Sequence, residues 1–337
     1  MDLKQTIMSL SNTYGVSGDE DKACEKALEM LKEFTSDCYV KNNSVFGNFG
    51  KREEGKPHIL LDAHIDMIGF VVTFITDEGF VKIANCGGID RRILAAEQVV
   101  ILGKEQVKGV ICTMPPHLSK GDGKVPEWQD ISIDVGMTKE QAEKVISLGD
   151  KVVFMQHSRE LAGDRITGAA LDDRCGVACL LRTAELLKDA KLNCSYTIMF
   201  SSQEEVGERG AKVGVYDVDP DIAIAVDVSF ALTSDDSELK CGKMGKGCMI
   251  GFSPVLDREL SLAFVSAAEK NDLPYQREIM HGETGTNADR FSVNCGGVKA
   301  VTLSIPLKYM HTPVEVISVS DVENTAQLIA AYMKEVR

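Results

Sequence analysis

No run of apolar residues in this 337-residue chain approaches the ~18 that a membrane-spanning helix needs. The first residues, MDLKQTIMSLSNTYG, lack the order of a secretion signal, in which a charged start leads into an apolar stretch and then small residues. Such a chain is expected in the cytoplasm, with no membrane partner. Basic charge is scarce too: 37 Lys and Arg stand against 51 Asp and Glu, for a formal net charge of -14. No basic segment stands out, and a surface that tracks phosphates needs clustered cations, so nucleic acid is excluded as a partner. The ten cysteines include no CxxC pair, and several fall inside apolar segments. That suits reduced, buried thiols and argues against disulfides, a zinc knuckle or a cysteine nucleophile. Internal repeats and low-complexity tracts are absent as well. What is present, 44% hydrophobic and 26% charged residues, is an ordinary globular composition with enough chain for one large domain and a smaller one.

Hydrophobic periodicity divides the chain. Ser17-Gly-Asp-Glu20 has capping-box spacing ahead of Cys24, Ala27, Leu28, Leu31 and Phe34, which predicts an amphipathic helix over 19–34. Residues 59–62 and 68–76 read as strands from their apolar, β-branched and aromatic content. From about 77 to 164, short β-like runs (99–102, 107–113, 152–154) are broken by Gly and Pro, with one short helix near 139–146. From 165 onward, helices over 174–188, 259–271 and 321–334 alternate with strands over 196–200, 222–228 and 298–304. The expected architecture is an α/β domain, residues 1–70 and 165–337, interrupted by a small β-rich domain at 71–164.

Polar residues gather at the ends of the apolar strands. His64 and Asp66 follow the first core strand, Asp172 and Asp173 precede a helix, Asp227 ends a strand, and His311 follows the last one. Glu204 and Glu205 stand side by side behind Tyr196-Thr-Ile-Met-Phe200. On an extended segment neighbours point to opposite faces, so the two glutamates have separate roles unless the chain bends between them. Taken singly, each residue has an ordinary reading: a solvated acidic pair, a helix cap at Asp172, a turn at Asp227, a structural histidine. Taken together they sit where open α/β sheets bind ligands, outside the carboxyl ends of the strands. Two histidines and several carboxylates are the donors that a pair of zinc-like ions prefers. One carboxylate shared between two ions, with a His and an acid on each, gives three protein ligands per ion and leaves room for water. Asp66, two residues after His64, is placed to accept the imidazole's other N–H and fix its tautomer.

These residues resemble a family, the dinuclear metallo-aminopeptidases that form tetrahedral (TET) shells, which includes glutamyl aminopeptidase and members once labelled endoglucanase or cellulase M. The resemblance runs through Gly15-Val-Ser-Gly-Asp-Glu20, Ala63-His-Ile-Asp66, Gly87-Gly-Ile-Asp90, Asp134-Val-Gly-Met137 with Gly149-Asp150, Leu171-Asp-Asp-Arg174, Gln203-Glu-Glu-Val-Gly207 and Tyr309-Met-His311. It implies a zinc-peptidase-like mixed sheet flanked by helices, and a barrel- or PDZ-like dimerisation domain at 71–164 that helps build a dodecamer. It also implies that Asp172 bridges two metal ions, zinc or cobalt, that His64 and Asp227 complete one site, and that Glu205 and His311 complete the other. Glu204 is then the general base, and the substrates are short peptides with a free N-terminus. Three positions depart from the family pattern: Met67 stands where an acid is expected, Asn287 where an Asp is, and Lys308 where an Arg is. None is an implied ligand; they bear on side-chain preference. The competing readings are another dinuclear deacylase or carboxypeptidase, a glycoside hydrolase, and a non-catalytic metal-binding assembly protein. A glycosidase needs two carboxyl groups facing each other across a sugar at ~5 to 9.5 Å, which adjacent glutamates suit poorly.

Overall fold

The His58–His64 strand, HILLDAH, is buried along its whole length, which places it inside a sheet covered on both faces. A computed structural model of the chain describes residues 1–114, 117–118, 125–155, 157–234 and 240–336. Within the segment 71–164, residues 115–116, 119–124 and 156 therefore lie outside the described residues. The main sheet has eight strands in the order Cys38–Lys41, Ser44–Phe49, Ser195–Ser201, His58–His64, Ile222–Phe230, Lys299–Leu307, Cys248–Phe252, Tyr275–Ile279. Its four central strands run parallel, with Ser201 beside His64 and Asp227 beside Ser304. Their carboxyl ends consequently open on one edge.

The two faces of the sheet differ in kind. Ile59, Leu61, Ile198, Ile224 and Leu303 face the larger apolar cluster, built with the helices Leu3–Ser11, Leu171–Leu187, Arg258–Lys270 and Val319–Glu335. Alternate residues face the other way: Leu60, Met199, Ala223 and Ala300 pack against Arg209–Val218 and Ala288–Ser292. Strand alternation carries Asp62, His64 and Ser201 onto this second face, together with Asp227. Asp227 lies within its strand, which runs on to Phe230, so the turn reading of that residue does not hold. The apolar Ile222-Ala-Ile-Ala-Val segment and its pairing with Lys299–Leu307 carry the strand past the acid.

A closed antiparallel barrel interrupts this layer arrangement shortly after His64. Its strands, in order, are Gly69–Ile75, Val81–Cys86, Ser132–Asp134, Gln106–Ile111, Gln98–Leu102 and Lys151–Phe154. Phe70, Val81, Ile101, Ile133 and Phe154 fill a core of its own.

One sequence expectation fails at the N-terminus. The helix runs Asp21–Leu31 and its N-cap, Glu20, makes no side-chain capping bond, so Ser17 closes no capping box. Ser17 donates its hydroxyl hydrogen to Asp66 instead, at 2.6 Å, because Val16 and Met67 pair as a short parallel bridge that brings the two side chains together. A tertiary partner has taken over a locally plausible motif.

At the amino end of the central strand, His58 is buried, with Nδ1 at 2.8 Å from Ser195 Oγ and Nε2 at 3.0 Å from Thr197 Oγ1. Burial, helped by the charge of Arg52, pushes its pKa down to about 4. Because the folded value lies below the unfolded ~6.5, this stabilising contribution is complete above that pH and is lost as pH falls toward 4. We expect the stability advantage of wild type over His58→Asn to shrink by about 2 to 3 kcal/mol between about pH 7 and about pH 4, measured as urea midpoints.

Candidate metal centre

Seven of the residues singled out in the sequence meet at the carboxyl edge of the parallel strands. His64 ends its strand there and is 1% exposed at the side chain. Its Nε2 lies 2.9 Å from Asp172 Oδ1 and 4.0 Å from Asp227 Oδ1. On the opposite side His311 Nε2 is 3.4 Å from Asp172 Oδ2 and 3.4 Å from Glu205 Oε2. The two oxygens of Asp172 thus face two different histidines.

Local structure explains why Asp172 is free to do this. The helix begins at Leu171, but Asp172 and Asp173 have non-helical backbones. The N-cap position is Ala170, so Asp172 is not the cap. The capping-type bond comes from Asp173, whose Oδ1 accepts the N–H of Gly176 at 3.1 Å. Only glycine fits there: a Cβ at 176 would lie 2.3 Å from that oxygen. Asp173, a residue without an assigned role in the sequence reading, is fully buried and groups with His64 and Asp227 as donors within 4.8 Å of one another, while its Oδ2 has no hydrogen-bond partner.

Glu204 and Glu205 do not sit on an extended segment. Gln203 has φ of 56°, and the chain turns, with the N–H groups of Gly207 and Glu208 both donating to the Glu204 carbonyl at 2.9 Å. Their directions are therefore not opposed: His64, Glu204 and Glu205 form one donor group. Asp66 holds this turn in place. Its Oδ1 accepts the Glu204 N–H at 2.9 Å and its Oδ2 the Glu205 N–H at 3.2 Å, beside the Ser17 hydroxyl. The carboxylate lies 3.5 Å from His64 Nδ1, whereas the Asp66 backbone carbonyl is nearer, at 3.1 Å. Burial opposes ionisation of Asp66, but its bonds to His64, Ser17 and Glu204 outweigh it and hold the carboxyl below its ordinary range.

The barrel reaches the same place. Gly88 packs against the His311 ring, where a Cβ would lie 3.1 Å from Nδ1. Beneath the cluster, Asn287 donates to Asp62 Oδ2 at 2.7 Å and to Ser201 Oγ at 2.8 Å. Of the departures from the family pattern, Asn287 is thus close to the site, while Met67 and Lys308 form isolated backbone bridges with Val16 and Val316.

The charge balance of the cluster calls for cations. Burial, together with repulsion from Asp172, pushes the Glu204 carboxyl up to about 9 and Asp227 to about 8, and drives Glu205 well above its usual range. Among the described residues the only cationic groups within ion-pair distance of Asp172, Asp227 and Glu205 are the two histidines. Two such sets of nitrogen and oxygen donors, sharing Asp172, fit a pair of divalent ions. No cysteine belongs to any of the donor groups. A surface cavity of about 670 Å³, lined by Pro57, Asp221 and Tyr332 among others, lies at the opposite end of the strands.

The family profile of the M42 glutamyl aminopeptidases matches residues 43–328. The chain belongs to this family. It is similar to a lysyl aminopeptidase from Pyrococcus furiosus, at 31% identity over 99% of this chain and 97% of that one. Among solved structures, an aminopeptidase from the archaeon Desulfurococcus kamchatkensis superposes with a TM-score of 0.92 at 33% identity, covering 99% of this chain and 94% of that one. The TET1 peptidase of Pyrococcus horikoshii, described as able to assemble into a tetrahedron or a large octahedral shell, has a TM-score of 0.88 at 34% identity, covering 99% and 100%. The mixed sheet with its inserted barrel is therefore the fold of the M42 aminopeptidases, and the chain is a peptide-hydrolysing enzyme of that family. Ser17, which supports Asp66, lies outside the matched stretch. Among the described residues no helix is long and apolar enough to cross a membrane.

Proposed function

We propose that this M42 aminopeptidase removes N-terminal residues from short peptides with two divalent ions, zinc or cobalt, held by His64, Asp172, Asp227, Glu205 and His311. The observation that carries this reading is the division of Asp172: one oxygen toward His64 and Asp227, the other toward His311 and Glu205. When bound, the ions supply a Lewis acid for the scissile carbonyl and lower the pKa of a water from ~15.7 toward ~7. Glu204 lies beside the ligands without being needed as one, and it is the general base. It accepts the proton of the attacking water and delivers it to the amine that leaves, which restores the carboxylate. Asp66 fixes where Glu204 can act, because it holds that residue's backbone N–H. The carboxylates of the cluster also attract a free α-ammonium group, which favours a substrate with an open N-terminus over an acylated one.

The stretch 71–164 acts in this reading as the dimerisation domain, and dimers assemble further into a dodecamer working in the cytoplasm. Light scattering of the purified protein tests the assembly. For the chemistry, aminoacyl p-nitroanilides are expected to be hydrolysed, with activity abolished by a chelator and restored by zinc or cobalt, while N-acetylated substrates stay intact. Cleavage of the acetylated set alone would assign the centre to a deacylase, and reducing-sugar release that survives the chelator would assign it to a glycosidase.

A further inference from the structure

Three backbone N–H groups of the ligand-bearing segments converge on a side chain that no sequence motif pointed to. Glu315 opens the strand Glu315–Ser318 and is 1% exposed. Its Oε2 accepts the N–H of Leu171 at 2.8 Å and that of Asp172 at 3.2 Å, and its Oε1 accepts the N–H of His311 at 3.0 Å. One carboxylate thus ties the chain at Asp172 to the chain at His311.

Both segments need such a partner. The helix that starts at Leu171 has Ala170 as its N-cap, which offers no side-chain acceptor, and the first N–H groups of a helix have no partner of their own. Asp172 does not supply one, since its two oxygens face the histidines. His311 has φ of 61°, a left-handed backbone that non-glycine residues adopt infrequently, and its N–H bond to Glu315 holds it there. Glu315 answers both demands with the two ends of a single group. Asp66 does the same for Glu204 and Glu205, so the centre rests on two buried carboxylates that bind backbone rather than ions.

We propose that Glu315 is a positioning residue for the metal centre, fixing the 3.4 Å separation of Asp172 Oδ2 and His311 Nε2 so that an ion is met by a preset pair of donors. This rests on the reading of Asp172 and His311 as ligands. Residues that orient ligands from behind commonly contribute 10- to 100-fold to metal affinity or activity.

Glu315→Gln tests it, because the amide keeps the shape but turns one acceptor into a donor. That NH2 group must then face either the N–H of His311 or those of Leu171 and Asp172. Chelator-stripped wild type and variant would be titrated with zinc against a competing dye, and the visible spectrum of the cobalt-loaded forms recorded. Expected are an affinity for the more weakly held ion about 10- to 100-fold lower, a changed cobalt spectrum, and a stripped protein that still unfolds cooperatively, at a lowered midpoint. Glu315→Asp, which keeps both acceptor oxygens on a shorter arm, is expected to fall between the two, and it decides the matter if the Gln variant does not fold. Zinc affinity and cobalt spectrum within twofold of wild type in the variants that fold would overturn the proposal. No zinc binding by wild type would overturn the reading of the centre itself, and this inference with it.

Discussion

Glu204→Gln is expected to lower kcat by roughly 100- to 10,000-fold while two ions per subunit remain bound. Glutamine matches the side chain in size and keeps the Glu204 N–H in its bond to Asp66, so the turn and the neighbouring donors stay where they are. What disappears is the ability to take a proton and return it. The loss should appear in kcat with little change in KM, since in the proposed mechanism Glu204 acts on the reacting water and not on peptide binding. Metal analysis and steady-state kinetics on one preparation check both halves. A fully metallated variant that turns over at the wild-type rate would move the base elsewhere, and a variant that loses metal would make Glu204 a ligand.

Asp172→Asn is expected to fail differently, by losing ions. An amide keeps one acceptor oxygen but presents an NH2 group to either His64 or His311, so one donor set loses its Asp172 oxygen outright and the other keeps only an uncharged one. Metal content should drop below one ion per subunit, with hydrolysis near background. Stability should also stop responding to metal. A ligand that binds only the folded chain stabilises it by about 2.7 kcal/mol at a hundredfold excess over its Kd. Thermal unfolding with and without zinc is expected to show that shift in wild type and not in Asp172→Asn. Removing this ligand has larger consequences than removing Asp227 or Glu205, because each of those serves one ion in the proposed arrangement.

The sequence exposed what is periodic or local in this fold, and hid what depends on contact between distant segments. Strand ends could be read because apolar runs, residues 59–61 and 198–200, mark the strands, and the polar residues at or just beyond their ends, His64 and the two glutamates, stand out against them. The direction of those glutamates could not be read: nothing in the local pattern announces that Gln203 takes a left-handed backbone and bends the chain. Ser17 satisfied a capping pattern by spacing alone, but its hydroxyl is used by Asp66, a partner that only the Val16 to Met67 bridge brings near. Asp227 looked like a turn because it follows five apolar residues, yet the pairing with Lys299–Leu307 extends the strand beyond it. Glu315 carried no signal at all, since its importance lies in the N–H groups it accepts from Leu171, Asp172 and His311. Hydrogen bonds to backbone leave no mark on the partner's residue type.

The packing of Gly88 against the His311 ring has a consequence for modularity. The barrel looks like a removable cassette, with its own apolar core and a place in the chain between the strand His58–His64 and the helix Leu171–Leu187. Every proposed ligand lies outside it. A shortened chain in which a linker replaces the barrel would nevertheless give up the wall against which one of its two histidines packs, so the insertion and the chemistry are not independent parts of the gene product. Any lineage that discards the barrel must find another wall for that ring.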